Sequence, residues 1–222
     1  ASLNVTPQAN AKPFVSTPIT SVYPDGTPKI NDYMLLSMED SKKNFWRTTW
    51  AAVKDIATAG GFRAIWQGEE DRKWNMSSYL KHHWKDWKNK WTSDESDAWT
   101  SYKGTGYVGI NEYLRANNKI GNSYKDKKIK AIDQSIGTAV AKGYTAPENF
   151  VVFRNAHFNV DPQLQPGDHF MDRGFISTSL KHNIMEASHK SKIVIRVPKG
   201  APIVGAFPGG EEELVIPRNA VF

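Results

Sequence analysis

The sequence predicts an α+β fold in which the helices come first and the sheet comes second. Three observations carry that expectation: five prolines crowd residues 1–30, all eight tryptophans fall between Trp46 and Trp99, and short β-branched runs follow Pro147. Helical periodicity giving way to strands suits one domain with a mostly antiparallel, mixed sheet. Residues 1–30 read as an extended Pro-rich arm, and 31–222 as a single domain, mainly helical over 31–145 and β-rich over 146–222.

From Asn31 to about Asp97 the pattern is helical and aromatic. Trp84, Trp87 and Trp91 have the i, i+3, i+7 spacing of one helical face, with Lys81, Lys85, Lys88 and Lys90 around it. That face is either core packing or a surface for membrane, partner or nucleic acid. Ser93-Asp94-Glu95-Ser96 reads as a helix start with Ser93 as cap, leading through Ala98, Trp99 and Tyr102 to a stop at Gly104. A second helix runs from about Val108 past Ile110, Tyr113 and Leu114. A third, from Lys127 to about Val140, carries Ile129, Ile132, Ile136 and Val140 on one face and ends near Gly143. Phe150-Val151-Val152-Phe153, Gly174 to Thr178, Lys192 to Val197 and Leu214-Val215-Ile216 are strands between Pro/Gly turns.

Composition narrows the function classes. The 222 residues, 39% hydrophobic, are enough to bury a sizeable core, and no apolar run is long enough to span a membrane. The absence of cysteine excludes disulfides, thiolate metal sites and a Cys nucleophile. A net charge of +6 favours an anionic partner: nucleic acid, an acidic protein face or a phosphate-bearing small molecule.

Three places in the β-rich half line up as a candidate site. Arg154 ends the first strand, Ser177-Thr178-Ser179 continues the second, and Glu211-Glu212-Glu213 lies between the turn Pro208-Gly209-Gly210 and the last strand. Alternation along an extended chain places Glu211 and Glu213 on one face and Glu212 on the other. Taken singly, each has a bland explanation: a charged strand end, ordinary β-formers, an acidic edge kept for solubility. Together they supply an arginine for a phosphate, a hydroxyl to orient a carboxylate and a carboxylate to stabilise a cation. That set suits a dinucleotide whose glycosidic bond breaks.

This order resembles the R-S-E class of mono-ADP-ribosyltransferases, the class of the clostridial binary actin-modifying toxins and their Rho-modifying relatives. The likeness extends upstream through Trp91 to Glu95, Tyr102, Tyr107 to Arg115 with its Ile-Asn-x-x-Leu-Arg helix, Ile132-Asp133, and Ala146 to Arg154 with its Pro-Glu-Asn strand lead. It covers roughly Trp91 to Phe222. It implies an ADP-ribosyltransferase-like fold, with N-terminal helices before a two-sheet β core. It also implies NAD as co-substrate with no metal, and a secreted or injected bacterial effector that acts in the target-cell cytosol.

Carried over by position, Arg154 is expected to hold the phosphate and ribose of NAD⁺, and Ser177 to orient Glu213. Glu213 would stabilise the oxocarbenium-like cation as nicotinamide leaves, and Glu211 would position and help deprotonate the acceptor. Tyr102, Tyr107, Asn111, Asn155, Gly174, Phe175, Thr178 and Ser179 complete the cofactor site, Lys181 to Lys192 occupies the position of the phosphate-nicotinamide loop, and Phe207 lies in the turn that meets the target. Glu rather than Gln at 211 implies an arginine acceptor, since a carboxylate attracts a guanidinium and can take its proton. Two positions depart from the pattern: Asn155 stands where relatives often carry a second Arg or a Gly, and Gly174 where some carry a cofactor-contacting Asn.

Other motifs carry less. His182, Glu186 and His189 match no zinc signature, His82-His83 reads as part of a solvated basic helix, and Gly104-x-Gly106 with Gly109 lacks the βαβ setting of a dinucleotide fingerprint. The expected partners are NAD, a target protein bearing an acceptor arginine and a delivery partner. No stable nucleic-acid complex and no transmembrane segment are expected, and the chain is read as a monomer. Two alternatives stand beside the transferase: a dedicated NAD glycohydrolase on the same fold, and a non-catalytic Trp/Lys-rich binding module.

Overall fold

The structure, a computed structural model, describes residues 32–37, 54–55, 57–64, 76–116, 121–157, 163, 171–181, 190–205 and 213–222. The Pro-rich arm, His182, Glu186, His189, Phe207, Glu211 and Glu212 lie outside the described residues. A strand β1 (Asp32–Ser37) precedes the helices α1 (Met76–Lys88) and α2 (Ser93–Ser101), a π-helical turn (Tyr102–Gly106), α3 (Tyr107–Arg115) and α4 (Ser123–Ala141). The strands that follow are β2 (Phe150–Ala156), β3 (Met171–Asp172), β4 (Ile176–Ser179), β5 (Ser191–Val197), β6 (Val204–Gly205), β7 (Glu213–Ile216) and β8 (Ala220–Val221). They form a six-stranded sheet ordered β1-β5-β2-β4-β7-β6 and a two-stranded sheet of β3 and β8. Every strand pairing in both sheets is antiparallel, and the parallel contact among the described residues is an isolated bridge between Arg63 and Phe150.

The helices pack on the sheet through the stripes their periodicity sets. Trp84 and Trp87 are buried with Leu80, and Trp91 packs half-buried against them, so the tryptophan face is core. Three of the indole N–H groups, costly to bury unpaired, find acceptors: Trp84 donates to the Tyr144 carbonyl, Trp87 to the Ser135 carbonyl and Trp99 to Ser135 Oγ, whereas the buried Trp91 N–H has none among the described residues. Ile129, Ile132 and Ile136 of α4 are buried and Val140 is half-buried against the same cluster. A second, smaller apolar cluster joins Val151, Phe153 and Val194 to Ala57, with Phe62 and Ala64 packed against it.

Some boundaries differ from the sequence reading. The stretch from Asn31 was expected to be helical, but Asp32–Ser37 is a strand paired along its length with β5. The cap of α2 is Thr92, one residue before Ser93, because this register lets Glu95 complete a capping box: Glu95 N–H donates to Thr92 Oγ1 at 3.2 Å, and Thr92 N–H to Glu95 Oε2 at 2.8 Å. Gly104 does leave helical geometry (ψ −129°), yet the chain re-enters a helix at once through the π-turn. Helix α4 starts at Ser123, four residues before Lys127, capped by the Asn122 side chain. His83 is half-buried, its Nε2 2.9 Å from the Thr145 carbonyl, so only His82 is solvated.

One buried cation makes stability depend on pH. Lys192 of β5 is only 1% exposed, and burial pushes its pKa from 10.5 down to about 8. Between those two values the unfolded chain holds a proton that the folded chain has released, so stability rises with pH across the window. Denaturant unfolding of the wild type and Lys192→Met at pH 7.5 and 10.5 is expected to show the wild type gaining roughly 3 kcal/mol relative to the variant. A pH-independent difference between the two proteins contradicts this.

Candidate active site

Arg154, Ser177 and Glu213 stand on β2, β4 and β7, three consecutive neighbours in the large sheet. Arg154 reaches across to β4, its Nη1 donating to the Ser177 carbonyl at 2.9 Å. In the β4–β7 register Ser177 faces Val215 and Ser179 faces Glu213. Directly opposed residues share a face and alternate residues return to it, so Ser177 and Glu213 are diagonal neighbours on one side of the sheet. Ser177 is the half-buried member of the otherwise buried run from Gly174 to Leu180, and Glu213 is the half-buried member of β7. Ser177 and Glu213 are thus the partly exposed positions of β4 and β7.

The helical layer meets β4 at Ser177 and Phe175. Tyr102, 0% exposed, sits at the start of the π-turn with its hydroxyl 3.2 Å from Ser177 Oγ and 3.4 Å from the Phe175 carbonyl. Asn111 of α3 is buried too: its Nδ2 donates to the Tyr102 hydroxyl at 3.2 Å and its Oδ1 accepts the Phe175 N–H at 2.9 Å. Around Tyr102 lie Trp99, Phe175 and Tyr107, all edge-on with ring centroids 5.6 to 6.3 Å away. Tyr107 itself is 46% exposed.

A second polar pair fixes the approach to β4. Arg115 grips Asp172 with two bonds of 3.0 Å, and Asp172 Oδ1 also accepts the Gly174 N–H at 2.8 Å. A Cβ on Gly174 would sit 2.9 Å from Asn111 Oδ1 and 3.1 Å from Arg115 Nη2. The missing side chain at 174 is what lets Asn111 and Arg115 close on the strand.

Charges in the site follow from burial first. Burial lowers the pKa of Arg154, an effect the Asp172 carboxylate opposes and Arg115 adds to. For Arg115 burial also pulls downward, but the bonds and charge of Asp172 prevail and raise it. Burial raises the Tyr102 phenol above its ordinary value, against the pull of its bonds to Ser177 and Asn111. Lys103, half-buried on the π-turn, is pushed down to about 8 by burial and the nearby Lys88, with the Glu213 charge pulling the other way.

The residues singled out in the sequence therefore divide. Arg154, Asn155, Ser177 and Glu213 are half-buried and Tyr107 is exposed. Tyr102, Asn111, Gly174, Phe175, Thr178 and Ser179 are buried, and their polar groups are engaged within the protein. Thr178 Oγ1 donates to the Leu214 carbonyl at 2.8 Å, and Ser179 Oγ accepts the Lys181 N–H at 3.0 Å. Sequence reasoning missed Lys103, Arg115 and Asp172 as members of this neighbourhood. Arg115 stands inside the quoted helix motif, whereas nothing local marks Asp172 or Lys103. Among the described residues no group of three or more His, Asp or Glu side chains could hold a metal ion. No helix among them is long and apolar enough to cross a membrane.

Comparison with known proteins bears on the same architecture. The C3 exoenzyme of Clostridium limosum superposes with a TM-score of 0.54 at 21% identity, over 72% of this chain and 86% of that one. Plx2a, an ADP-ribosyltransferase toxin from Paenibacillus larvae, gives 0.53 at 21% identity over 65% and 82%. C2-I, the enzymatic component of the Clostridium botulinum C2 toxin, gives 0.52 at 20% identity over 65% of this chain, which spans 40% of the C2-I chain. No curated protein matches the sequence. These structures share the fold of N-terminal helices on a mostly antiparallel sheet core. The model of the ADP-ribosyltransferase exoenzymes, a family that uses NAD, matches residues 72–222, and the chain belongs to that family.

Proposed function

We propose that the chain transfers ADP-ribose from NAD⁺ to an arginine side chain of a target protein, with NAD⁺ hydrolysis as a side reaction when water takes the acceptor's place. The observation that carries this reading is that Arg154, Ser177 and Glu213 stand on three adjacent strands, with the Arg154 guanidinium bonded to the Ser177 carbonyl. Arg154 would bind the anionic phosphates, using the guanidinium N–H groups left after the bond to the Ser177 carbonyl. Glu213, oriented by Ser177, would accept the hydroxyls of the nicotinamide ribose and place its negative charge where the sugar becomes cationic. Tyr107 would lie against the departing nicotinamide. Glu211 would receive the acceptor guanidinium and remove its proton as the new C–N bond forms. Phe207, in the same turn, would meet the target protein.

The relatives named above as toxins and exoenzymes support a secreted or injected effector. Because the chain spans 40% of C2-I, any delivery partner belongs to this proposal as well. The test separates transfer from hydrolysis. Incubated with NAD⁺ and agmatine, the wild type is expected to release nicotinamide and form ADP-ribosyl-agmatine. Glu211→Gln is expected to keep nicotinamide release within about threefold while losing at least ~100-fold of the transfer, the scale of general-base catalysis. Transfer that survives Glu211→Gln removes the arginine role from Glu211. Nicotinamide release with no transfer to any guanidine acceptor identifies a glycohydrolase.

A further inference from the structure

Tyr102 and Tyr107 are equivalent in sequence as aromatic lining, and the fold separates them. Tyr107 is 46% exposed and can meet a ligand, whereas Tyr102 and its partner Asn111 are 0% and 3% exposed. What Tyr102 does reach is the Ser177 hydroxyl.

The hydrogen bonds here have a direction that can be worked out link by link. A backbone N–H can only donate, so the bond from Phe175 N fixes Oδ1 as the end of the Asn111 amide facing the strand. Its NH₂ end then faces Tyr102, whose oxygen must accept. The phenol's own hydrogen is left to go elsewhere, to Ser177 Oγ at 3.2 Å or to the Phe175 carbonyl at 3.4 Å, and the hydroxyl is the nearer. Burial raises the phenol's pKa, so that hydrogen is present throughout the neutral range. A serine oxygen that accepts from Tyr102 keeps its own hydrogen to donate toward Glu213, its diagonal neighbour on the same face.

We infer that Tyr102 and Asn111 are positioning residues, which set the direction of the Ser177 hydroxyl so that its hydrogen serves Glu213, and that neither touches the dinucleotide. The inference rests on the proposed pairing of Ser177 with Glu213. The π-turn is the device that holds the relay in place. A π-turn closes i to i+5 rather than i to i+4, and it brings the Tyr102 and Tyr107 rings to 6.3 Å, edge to face, five residues apart. Its closing position must be glycine: a Cβ on Gly106 would lie 2.4 Å from the Ser101 carbonyl oxygen.

The experiment is steady-state nicotinamide release from NAD⁺ by the whole chain. It compares wild type, Tyr102→Phe, Asn111→Asp, Ser177→Ala and the double variant Tyr102→Phe/Ser177→Ala, at a temperature below every variant's melting point. Tyr102→Phe is expected to lower kcat about tenfold, the scale of one hydrogen bond, with KM for NAD⁺ within about twofold. Asn111→Asp keeps the acceptor for Phe175 N–H but offers Tyr102 only an acceptor, turns the phenol's hydrogen backward, and is expected to match that loss at unchanged KM. In the Ser177→Ala background, Tyr102→Phe is expected to cost nothing further, an outcome that a general loosening of the fold does not produce. A raised KM at unchanged kcat in Tyr102→Phe places the phenol on the dinucleotide and overturns the inference, as does a full tenfold loss that persists without Ser177. Wild-type kcat in Ser177→Ala removes Ser177 from the chemistry, and the relay with it, while leaving the roles of Arg154 and Glu213 standing.

Discussion

Glu213→Gln is expected to release nicotinamide from NAD⁺ about a thousandfold more slowly than the wild type, with NAD⁺ affinity changed by less than about threefold. The amide is nearly isosteric and keeps an acceptor oxygen for the Ser177 hydroxyl and the ribose, so the ground-state complex loses little. What it loses is the charge. Two unit charges about 4 Å apart interact by roughly 4 kcal/mol at an effective dielectric near 20, which is about three powers of ten in rate. The setting supports a value on that scale: Leu214, Val215 and Ile216, which follow the half-buried carboxylate in β7, are buried, and the field of Glu213 extends to both Tyr102 and Lys103. Free nicotinamide over a time course gives kcat, and quenching of the buried tryptophan cluster gives binding. A variant that retains more than about a third of the wild-type rate at equal affinity takes Glu213 out of the chemistry. A variant that loses affinity and rate together assigns it to binding.

The parts of the fold that were legible in the sequence are those where local pattern and tertiary packing agree. The isoleucine stripe of α4 and the apolar runs of β2, β5 and β7 each bury the face their period marks. Tertiary pairing overrides local pattern at Asp32–Ser37, a strand because β5 offers an edge to it; nothing within the six residues announces that partner. The π-turn was hidden for a related reason. Gly104 reads as a stop, and only the contact with the Ser101 carbonyl shows that Gly106, two residues on, lets the helix widen and continue. In the site, Arg154, Ser177 and Glu213 could be picked out only jointly, because their order along the chain resembles a known family's while each alone is an ordinary strand residue. That Tyr102 is buried against the Ser177 hydroxyl while Tyr107 is 46% exposed depends on how the helices pack on β4, which no motif records. Gly174 shows the converse. Its departure from the relatives' pattern put a cofactor contact in doubt, and sterics give the reason, since Asn111 and Arg115 fill the space a side chain would need.

Replacing Arg154 with lysine preserves the charge and is expected to cost about a hundredfold in kcat/KM for NAD⁺, expressed mainly as a tenfold or greater rise in KM. The guanidinium has two duties in the proposed site. One N–H is committed to the Ser177 carbonyl at 2.9 Å, which ties β2 to β4 beside the Ser177 hydroxyl. The remaining donors of the planar fork are free to take two phosphate oxygens at once. An ammonium on a flexible stem can do one or the other, and its compact charge is harder to desolvate. Desolvation is severe at this position: burial already depresses the pKa of Arg154 despite the nearby Asp172 carboxylate, and Arg115 adds like charge. Arginine tolerates such a depression and stays ionised. A lysine begins lower, as Lys103 shows on the facing helical layer, where burial with a second lysine nearby brings it to about 8. The loss in Arg154→Lys is therefore expected to deepen as pH rises from 7 to 9, while the wild type's KM stays flat over the same range. That pH-dependent divergence separates phosphate binding from a purely architectural role. If Arg154 serves only to hold the Ser177 carbonyl, kcat falls, KM stays put, and raising the phosphate content of the ligand from nicotinamide mononucleotide to NAD⁺ gains the wild type no more affinity than the variant.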